Sequence, residues 1–450
     1  MRLLNDCKKI YILGIGGSSM QALAIILHSK GYKISGSDAR YGEYYNLLTS
    51  KGINVDISPN FDVIKQSDLI LYSLAVPVDS EAIQYAKRLG KRVLSRKEFL
   101  GILGENFEEV VAVAGTHGKS TTTYLISSIL HNACSEATYH IGASSKTFKG
   151  GGLYEGDKIL VTEACEYKDS FLSFSPSVAI ILNIEADHPD YFTSNKQLLS
   201  SFLTFSSNIK DNGLLIINSE LYCVFSEYLR SINRYDIDIV TVGTNGDYTF
   251  DNVKKGINNS YDLYYRGEFI GNYSTSLNGY YNIYNNIISI IVAKHFMIEN
   301  KIIKETLANV EGLARRYERV KLCNGAEIIV DYAHHPSEIS AVINASSNCK
   351  GRLIVVFQPH TYSRTTALFE KFVQCFNGAN EIIITKTYKS RDNKKGKTAF
   401  ELFVEVAKNE NAIYFDDFLS IAKYLKSTIT INDRVLLLGA GDINELANYL

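Results

Sequence analysis

The stretch VVAVAGTHGKSTTTYLIS, from Val110 to Ser127, constrains this chain more than any other. An apolar run of strand type enters a turn bounded by glycines. A lysine, a serine and three threonines follow, and then a helix-forming run. A strand that feeds a glycine turn and opens a helix belongs to a parallel α/β sheet. The same turn is a cradle for phosphate. Gly115 and Gly118 let backbone N–H groups point inward, and the helix start adds its positive end. Lys119 would bring a charge to the β- and γ-phosphates, and Ser120 a hydroxyl to Mg²⁺. The common spacing G-x-x-x-x-G-K-[ST] asks for a glycine at 113, where this chain has Val113. That separates it from ordinary P-loop ATPases without weakening the physical case for phosphate. The plainer alternative is a turn that binds nothing.

The rest of the chain supplies sheets of the same kind. KIYILGI, YKISGSD, DLILYSLAV and RVLS read as strands separated by helical runs, a βαβ rhythm over the first hundred residues. The charged segment GENFEE marks a boundary, so residues 1–105 form a first Rossmann-like domain. Residues 106–311 form a central P-loop-type domain. There KILVTEA, SVAIILNI and GLLIIN are buried strands, and the tyrosine-rich alternation from Asp247 to Leu277 is an antiparallel annex. YNIYNNIISIIVAKHF follows as a buried helix. Residues 312–450 form a third, Rossmann-like domain, with EIIVDYAH, RLIVVFQP, EIIITK and RVLLLGAG as strands. The expected fold is thus three-domain α/β, with length to match.

Bulk properties exclude several classes. A formal net charge of −1 offers no basic field for nucleic acid or an anionic membrane. No stretch is apolar enough to span a bilayer. The opening MRLLNDCKKIYILGIGG lacks a long apolar core, which argues against a cleaved signal peptide. Seven scattered cysteines, with no C-x-x-C pair, fit a reducing cytoplasm.

Other strand ends carry reactive residue types. Gly14, Gly16 and Gly17 precede a helix, and Ser37 and Asp38 end the next strand. This is half of a dinucleotide fingerprint, with Ser19 where a third glycine belongs. It suits the diphosphate of NAD or of a nucleotide sugar, or it is only a turn. TEACEYKDSF offers Glu163 and Glu166; NIEADHPDYF offers Asn183, Glu185, Asp187, His188 and Asp190. These resemble a metal shell, Mg²⁺ by its oxygens and Mn²⁺ if a histidine joins, or else a solvated acidic loop. DYAHHP and QPHTYSRT place His334, His335, His360 and Arg364 at two further strand ends, as a site or as structural histidines.

In order along the chain, GIGGSSM, SGSD, AGTHGKSTTT, EACEYKDSFL, NIEADHPDYF, GYYNIYNN, ARRYE, DYAHHPSE, FQPHTYSRT and LLLGAGDI form a set that resembles the Mur ligases of peptidoglycan synthesis. In that family the phosphate loop reads G-T-H-G-K-[ST], without the first glycine. The resemblance is closest to the branch that joins L-alanine to UDP-N-acetylmuramate. It implies ATP-driven amide formation through an acyl phosphate, with Mg²⁺, or Mn²⁺ in its place. It implies a cytoplasmic monomer or weak homodimer acting on small molecules, with no nucleic acid or membrane partner.

Carried onto this sequence, the resemblance assigns ATP to Gly115, Thr116, His117, Gly118, Lys119, Ser120, Thr121, Asn282, Asn285, Arg316 and Asp331. Ser120, Glu163 and His188 become the metal ligands. Lys119, His188 and Arg316 become the catalytic set. Gly14, Gly16, Gly17, Ser37 and Asp38 serve the UDP-sugar, and His334, His360 and Arg364 receive the amino acid. Three positions depart from many relatives: Asn278 and Tyr281 before the asparagine pair, and Thr361 where some carry an arginine. No clear counterpart exists for the lysine that later-acting members carbamylate, which suits the alanine-adding branch. Three rivals stay open here: a recycling ligase that adds a whole peptide, a nicotinamide-dependent dehydrogenase, and a binding protein that has lost the reaction.

Overall fold

The computed structural model describes residues 7–39, 42–254, 258–389 and 396–450. Residues 1–6 of the opening and 255–257 of the expected annex lie outside this set. The chain divides into two compact units. One comprises Met1–Glu185, Lys196–Ser276 and Tyr284–Glu311; the other comprises Ala186–Asn195, Leu277–Ile283 and Gly312–Leu450.

The first unit holds two sheets. In the smaller, β1 (Lys9–Leu13), β2 (Lys33–Ser37), β3 (Asn54–Asp56), β4 (Leu69–Tyr72) and β5 (Arg92–Ser95) lie in the order β3-β2-β1-β4-β5, all parallel. The order reverses beside β1, and the Gly14–Gly17 turn leaves the carboxyl end of that strand, the switch point where such sheets bind ligands.

The larger sheet has ten strands, in the order β15-β14-β13-β12-β11-β10-β6-β9-β7-β8. They are β6 (Glu109–Ala114), β7 (Ala137–His140), β8 (Gly152–Tyr154), β9 (Ile159–Glu163), β10 (Val178–Ile181), β11 (Leu214–Asn218), β12 (Asp238–Val242), β13 (Tyr248–Lys254), β14 (Asn259–Tyr265) and β15 (Glu268–Thr275). β6 sits in the middle between β10 and β9 and is buried from Val110 to Ala114, hence its unbroken apolar run. Val113 pairs with Ile180 on one side and Glu163 on the other. It is a strand residue in the core, and the Gly115–Gly118 turn begins two residues later. β13, β14 and β15 form antiparallel hairpins, with Tyr248 opposite Tyr265 and Tyr261 opposite Tyr273. The sequence reading did not include the edge pair in which β8 runs antiparallel to β7, a pair too short to show as a periodic run.

The second unit holds a six-stranded sheet, β16-β17-β21-β18-β19-β20. Its strands are β16 (Glu318–Cys323), β17 (Ala326–Asp331), β18 (Leu353–Phe357), β19 (Glu381–Thr385), β20 (Ala412–Phe415) and β21 (Arg434–Leu438). β16 is antiparallel to β17 and the rest are parallel. Two apolar layers cover its faces, one around Phe357, Phe372 and Phe376, the other around Val356, Ile421 and Leu437.

Candidate active site

The Gly115–Gly118 turn is locked to the loop after β10. Thr116 N donates to Asn183 O at 3.1 Å, and its hydroxyl donates to Glu185 O at 3.0 Å and accepts from Glu185 N at 2.9 Å. The Asn183 side chain accepts from His117 N at 2.8 Å and donates to His117 O at 3.1 Å. Gly115 and Gly118 have φ of 136° and 83°. A Cβ on Gly115 would lie 2.9 Å from Leu182 Cβ, and one on Gly118 would lie 3.1 Å from Asn285 Oδ1. Backbone conformation and close approach therefore both call for glycine. Gly118 opens the helix Lys119–Asn132, whose first turn carries Ser120 and Thr121. Thr122 donates to Asn285 Oδ1 at 3.1 Å, so Asn285 buttresses the turn. Asn282 lies in the second unit and donates through Nδ2 to Asn278 O at 2.5 Å.

Lys119 reaches across the turn. Its Nζ donates to Gly115 O, to Thr116 O at 3.0 Å, and to the two Glu166 oxygens at 2.9 and 3.2 Å. Burial alone would pull its pKa down; the Glu166 charge and hydrogen bond, with Cys165 and Glu163, more than offset this and raise it. Glu163 ends β9, beside β6, and its Oε1 accepts from Gly142 N at 2.5 Å.

The first glycine turn is also organised. Gly14 N donates to Ser37 O at 2.8 Å, and Gly16 N to Asp38 Oδ2 at 2.9 Å. Asp38 thus ties the turn to the end of β2. His140, at the end of β7, was not singled out from sequence. Its Nε2 lies 2.9 Å from Ser19 Oγ and its Nδ1 2.8 Å from Thr162 Oγ1, next to Glu163. Burial pushes its pKa down to about 4, so it links the helix after the first glycine turn to β9 as a neutral ring.

The second unit gathers another set at the carboxyl ends of β17 and β18. Arg364 donates from Nε and Nη2 to the two Asp187 oxygens at 2.9 and 3.2 Å, with Nη1 3.0 Å from His360 Nδ1. Burial would raise the Asp187 pKa, but the Arg364 charge outweighs it and holds the carboxyl well below its usual range. His360 stacks on Tyr388 at 5.7 Å and meets His334 edge to face at 5.9 Å. Burial first, then neighbouring groups including Arg364, take His334 to about 4 and His360 to about 3, so both rings are neutral. His188 follows Asp187 with φ of 53°, and its backbone N donates to Asp187 Oδ1 at 2.7 Å. Asp331 accepts from Tyr317 N and Ala333 N, each at 2.7 Å. Burial raises its pKa to about 6, against the opposing charge of Arg316. The guanidinium groups of Arg315 and Arg316 both lie over the Tyr332 ring, at 4.9 and 5.0 Å.

Family models cover the chain in three consecutive pieces. A Mur ligase family catalytic domain matches residues 9–108, a Mur ligase middle domain 113–293, and a Mur ligase glutamate ligase domain 315–441. A UDP-N-acetylmuramate–L-alanine ligase from Caldanaerobacter subterraneus is 37% identical, over 98% of this chain and 97% of that one. The chain belongs to the Mur ligase family.

A Clostridium tetani relative of the same name is 36% identical over 98% of this chain and 97% of its own. Among solved structures, a UDP-N-acetylmuramate-alanine ligase from Thermotoga maritima superposes with a TM-score of 0.82 at 23% identity, covering 98% of this chain and 97% of that one. A murein peptide ligase from Psychrobacter arcticus gives 0.72 at 20% identity, over 98% and 97%. These likenesses establish the Mur ligase fold. Sequence reasoning counted Glu166 and Asp187 only among the acids of a candidate metal shell or solvated loop; as partners of Lys119 and Arg364, both organise the Mur ligase loops. Arg315 is a further miss: it is fixed by Gly439 O and Gly441 O at 2.7 and 2.8 Å.

Proposed function

We infer that this Mur ligase joins L-alanine to the carboxylate of UDP-N-acetylmuramate, with ATP as the driving substrate, in peptidoglycan precursor synthesis. The observation that carries the reading is the match to alanine ligases along the whole chain, together with an intact Lys119 turn. The lactyl carboxylate oxygen attacks the γ-phosphorus and ADP leaves. The amine nitrogen of alanine then attacks the acyl carbon, loses a proton, and phosphate departs with the bonding electrons. Two anions meet in the first step, so fixed positive charge is needed where charge develops.

Three domains share the labour in this reading: residues 1–105 hold the UDP-sugar through Gly14, Gly16, Gly17, Ser37 and Asp38; 106–311 hold ATP; 312–450 receive alanine. Lys119 contacts the phosphates, with the turn amides from Thr116 to Thr121. Asn282 and Asn285 face adenine, Asp331 the ribose, and Arg316 a phosphate. Ser120 and Glu163 offer the oxygen ligands that Mg²⁺ takes, and Glu163 is oriented for it by the Gly142 amide; His188 is the third candidate ligand. The ion would supply Lewis-acid neutralisation of the phosphate oxygens. Arg364 has five N–H groups and three are engaged, which leaves two for the alanine carboxylate while Asp187 fixes the guanidinium plane. His334 and His360, held neutral, border the amine without repelling it. The free cysteines fit a cytoplasmic enzyme, and among the described residues no helix is long and apolar enough to cross a membrane.

Phosphate release tests the reading, measured with UDP-N-acetylmuramate, ATP and each amino acid in turn, beside a tripeptide that begins with alanine. Alanine is expected to be the best acceptor. Preference for the tripeptide would move the protein to the recycling ligases.

A further inference from the structure

The Lys119–Glu166 pair has a consequence for nucleotide exchange. An ammonium has three N–H groups. Here they face Gly115 O, Thr116 O and the Glu166 carboxylate, so Lys119 is satisfied by groups of the chain itself. Glu166 is 1% exposed, and the Lys119 side chain 16%. Two of the three acceptors are backbone carbonyls held by the turn itself. The carboxylate is the one anion among them, and it stands just past the end of β9, at the entry to the short helix Tyr167–Ser173.

We propose that Glu166 is an exchangeable counter-ion for Lys119, which a nucleotide phosphate displaces on binding and which recaptures the lysine as ADP leaves. The proposal rests on the assignment of ATP to this turn. Its physical basis is the cost of a buried, unpaired ammonium. Without Glu166, departure of ADP would leave Lys119 on the Gly115 and Thr116 carbonyls, with Glu163 as a nearby charge but no carboxylate bonded to it. With Glu166 the charge changes partner, and the empty state is stabilised. The same carboxylate also repels the phosphates while they are bound. Both effects act in one direction: Glu166 lowers nucleotide affinity and speeds release of ADP. A residue that merely shaped the turn would act the other way, since its loss would loosen the site and weaken binding.

The direction is therefore the test. Dissociation of a fluorescent ADP analogue is followed by stopped flow, and the equilibrium constant for ADP by calorimetry, for the wild type, Glu166→Gln and Glu166→Asp. Glu166→Gln is expected to bind ADP about tenfold more tightly or better, mainly through slower release. Glu166→Asp keeps the charge but withdraws it by one carbon, so release should slow by a smaller factor. Should Glu166→Gln prove poorly folded, as judged by UDP-N-acetylmuramate binding, the Asp variant still decides the matter. Unchanged or faster release in the folded variants would overturn the proposal. A wild type that binds no ADP would instead overturn the assignment of ATP to this turn, and the exchange with it.

Discussion

Replacing Asp187 by asparagine keeps the outline of the side chain and removes its charge. The native carboxylate takes two bonds from Arg364, and the two side chains are only 8% and 6% exposed. Asparagine can accept one of those bonds and must turn its NH₂ group toward the other donor. Arg364 is then a buried cation without a bonded counter-charge, left with the Glu338 charge nearby. Loss of one partner of such a pair costs about 3–5 kcal/mol, and the retained acceptor places this case near the lower end. The cost falls locally. Asp187 belongs to the segment Ala186–Asn195, which is grouped with the third sheet although it follows a strand of the second. The pair is a strong tie between that segment and Arg364, so its loss should ease opening of the segment before it affects the sheet. A drop of about 3 kcal/mol in local opening free energy accelerates amide exchange about 10²-fold. The amides of Tyr191 and Phe192, each bonded to His188 O at 2.9 Å, are the reporters. Hydrogen exchange read by mass spectrometry on peptides from 186–195 is the assay, with the amides of Ile382 and Ile384 in β19 as the internal reference. Exchange at Tyr191 and Phe192 that matches the wild type would refute the view that this pair holds the loop.

Lys119→Ala should lower turnover by about 10²–10³ with the fold intact, the loss expected for one preorganised charge at a transition state; a steady-state rate above about a tenth of wild type would rule out its phosphate role. Activity should vanish in excess EDTA and return with Mg²⁺ and at least partly with Mn²⁺, because imidazole joins oxygen in the proposed ligand set; full activity in EDTA would remove the metal. Asp331 gives a pH signature. Its folded pKa, about 6, lies above the unfolded value, so its contribution is fully present below about pH 4 and is lost as pH rises through 6. The stability difference between wild type and Asp331→Asn, from denaturant melts without ligand, should therefore shift in favour of the variant as pH rises from about 4 to 7; a difference that stays flat would show that Asp331 is not held in a charge-averse site.

What could be read from the sequence followed from how its signals are written. Parallel strands buried on both faces are continuous apolar runs, so β6, β10, β18 and β21 stood out, and with them the loops at their carboxyl ends. The strand–glycine turn–helix junction was legible because the glycines, lysine and serine lie together in one short stretch. The short antiparallel pairs were missed for lack of length: β7 and β8 have four and three residues and no period to detect. The β16–β17 hairpin did carry a signal, Asn324-Gly325 between two apolar-rich runs, and the structure puts both at positive φ, 51° and 81°, as such a turn requires. The sequence could not say which acid meets which base. Glu163 and Glu166 lie three residues apart, at the end of β9 and just past it, yet one faces a backbone amide and the other Lys119. Asp187 and His188 are neighbours, and the acid meets Arg364, which is 177 residues away. Pairings of that kind depend on where two separately coded loops come to rest. They also decide which charges are already neutralised before any substrate arrives. That is why the roles of Glu166 and Asp187 emerge only from the folded chain, although both residues stand within the motifs that mark the family.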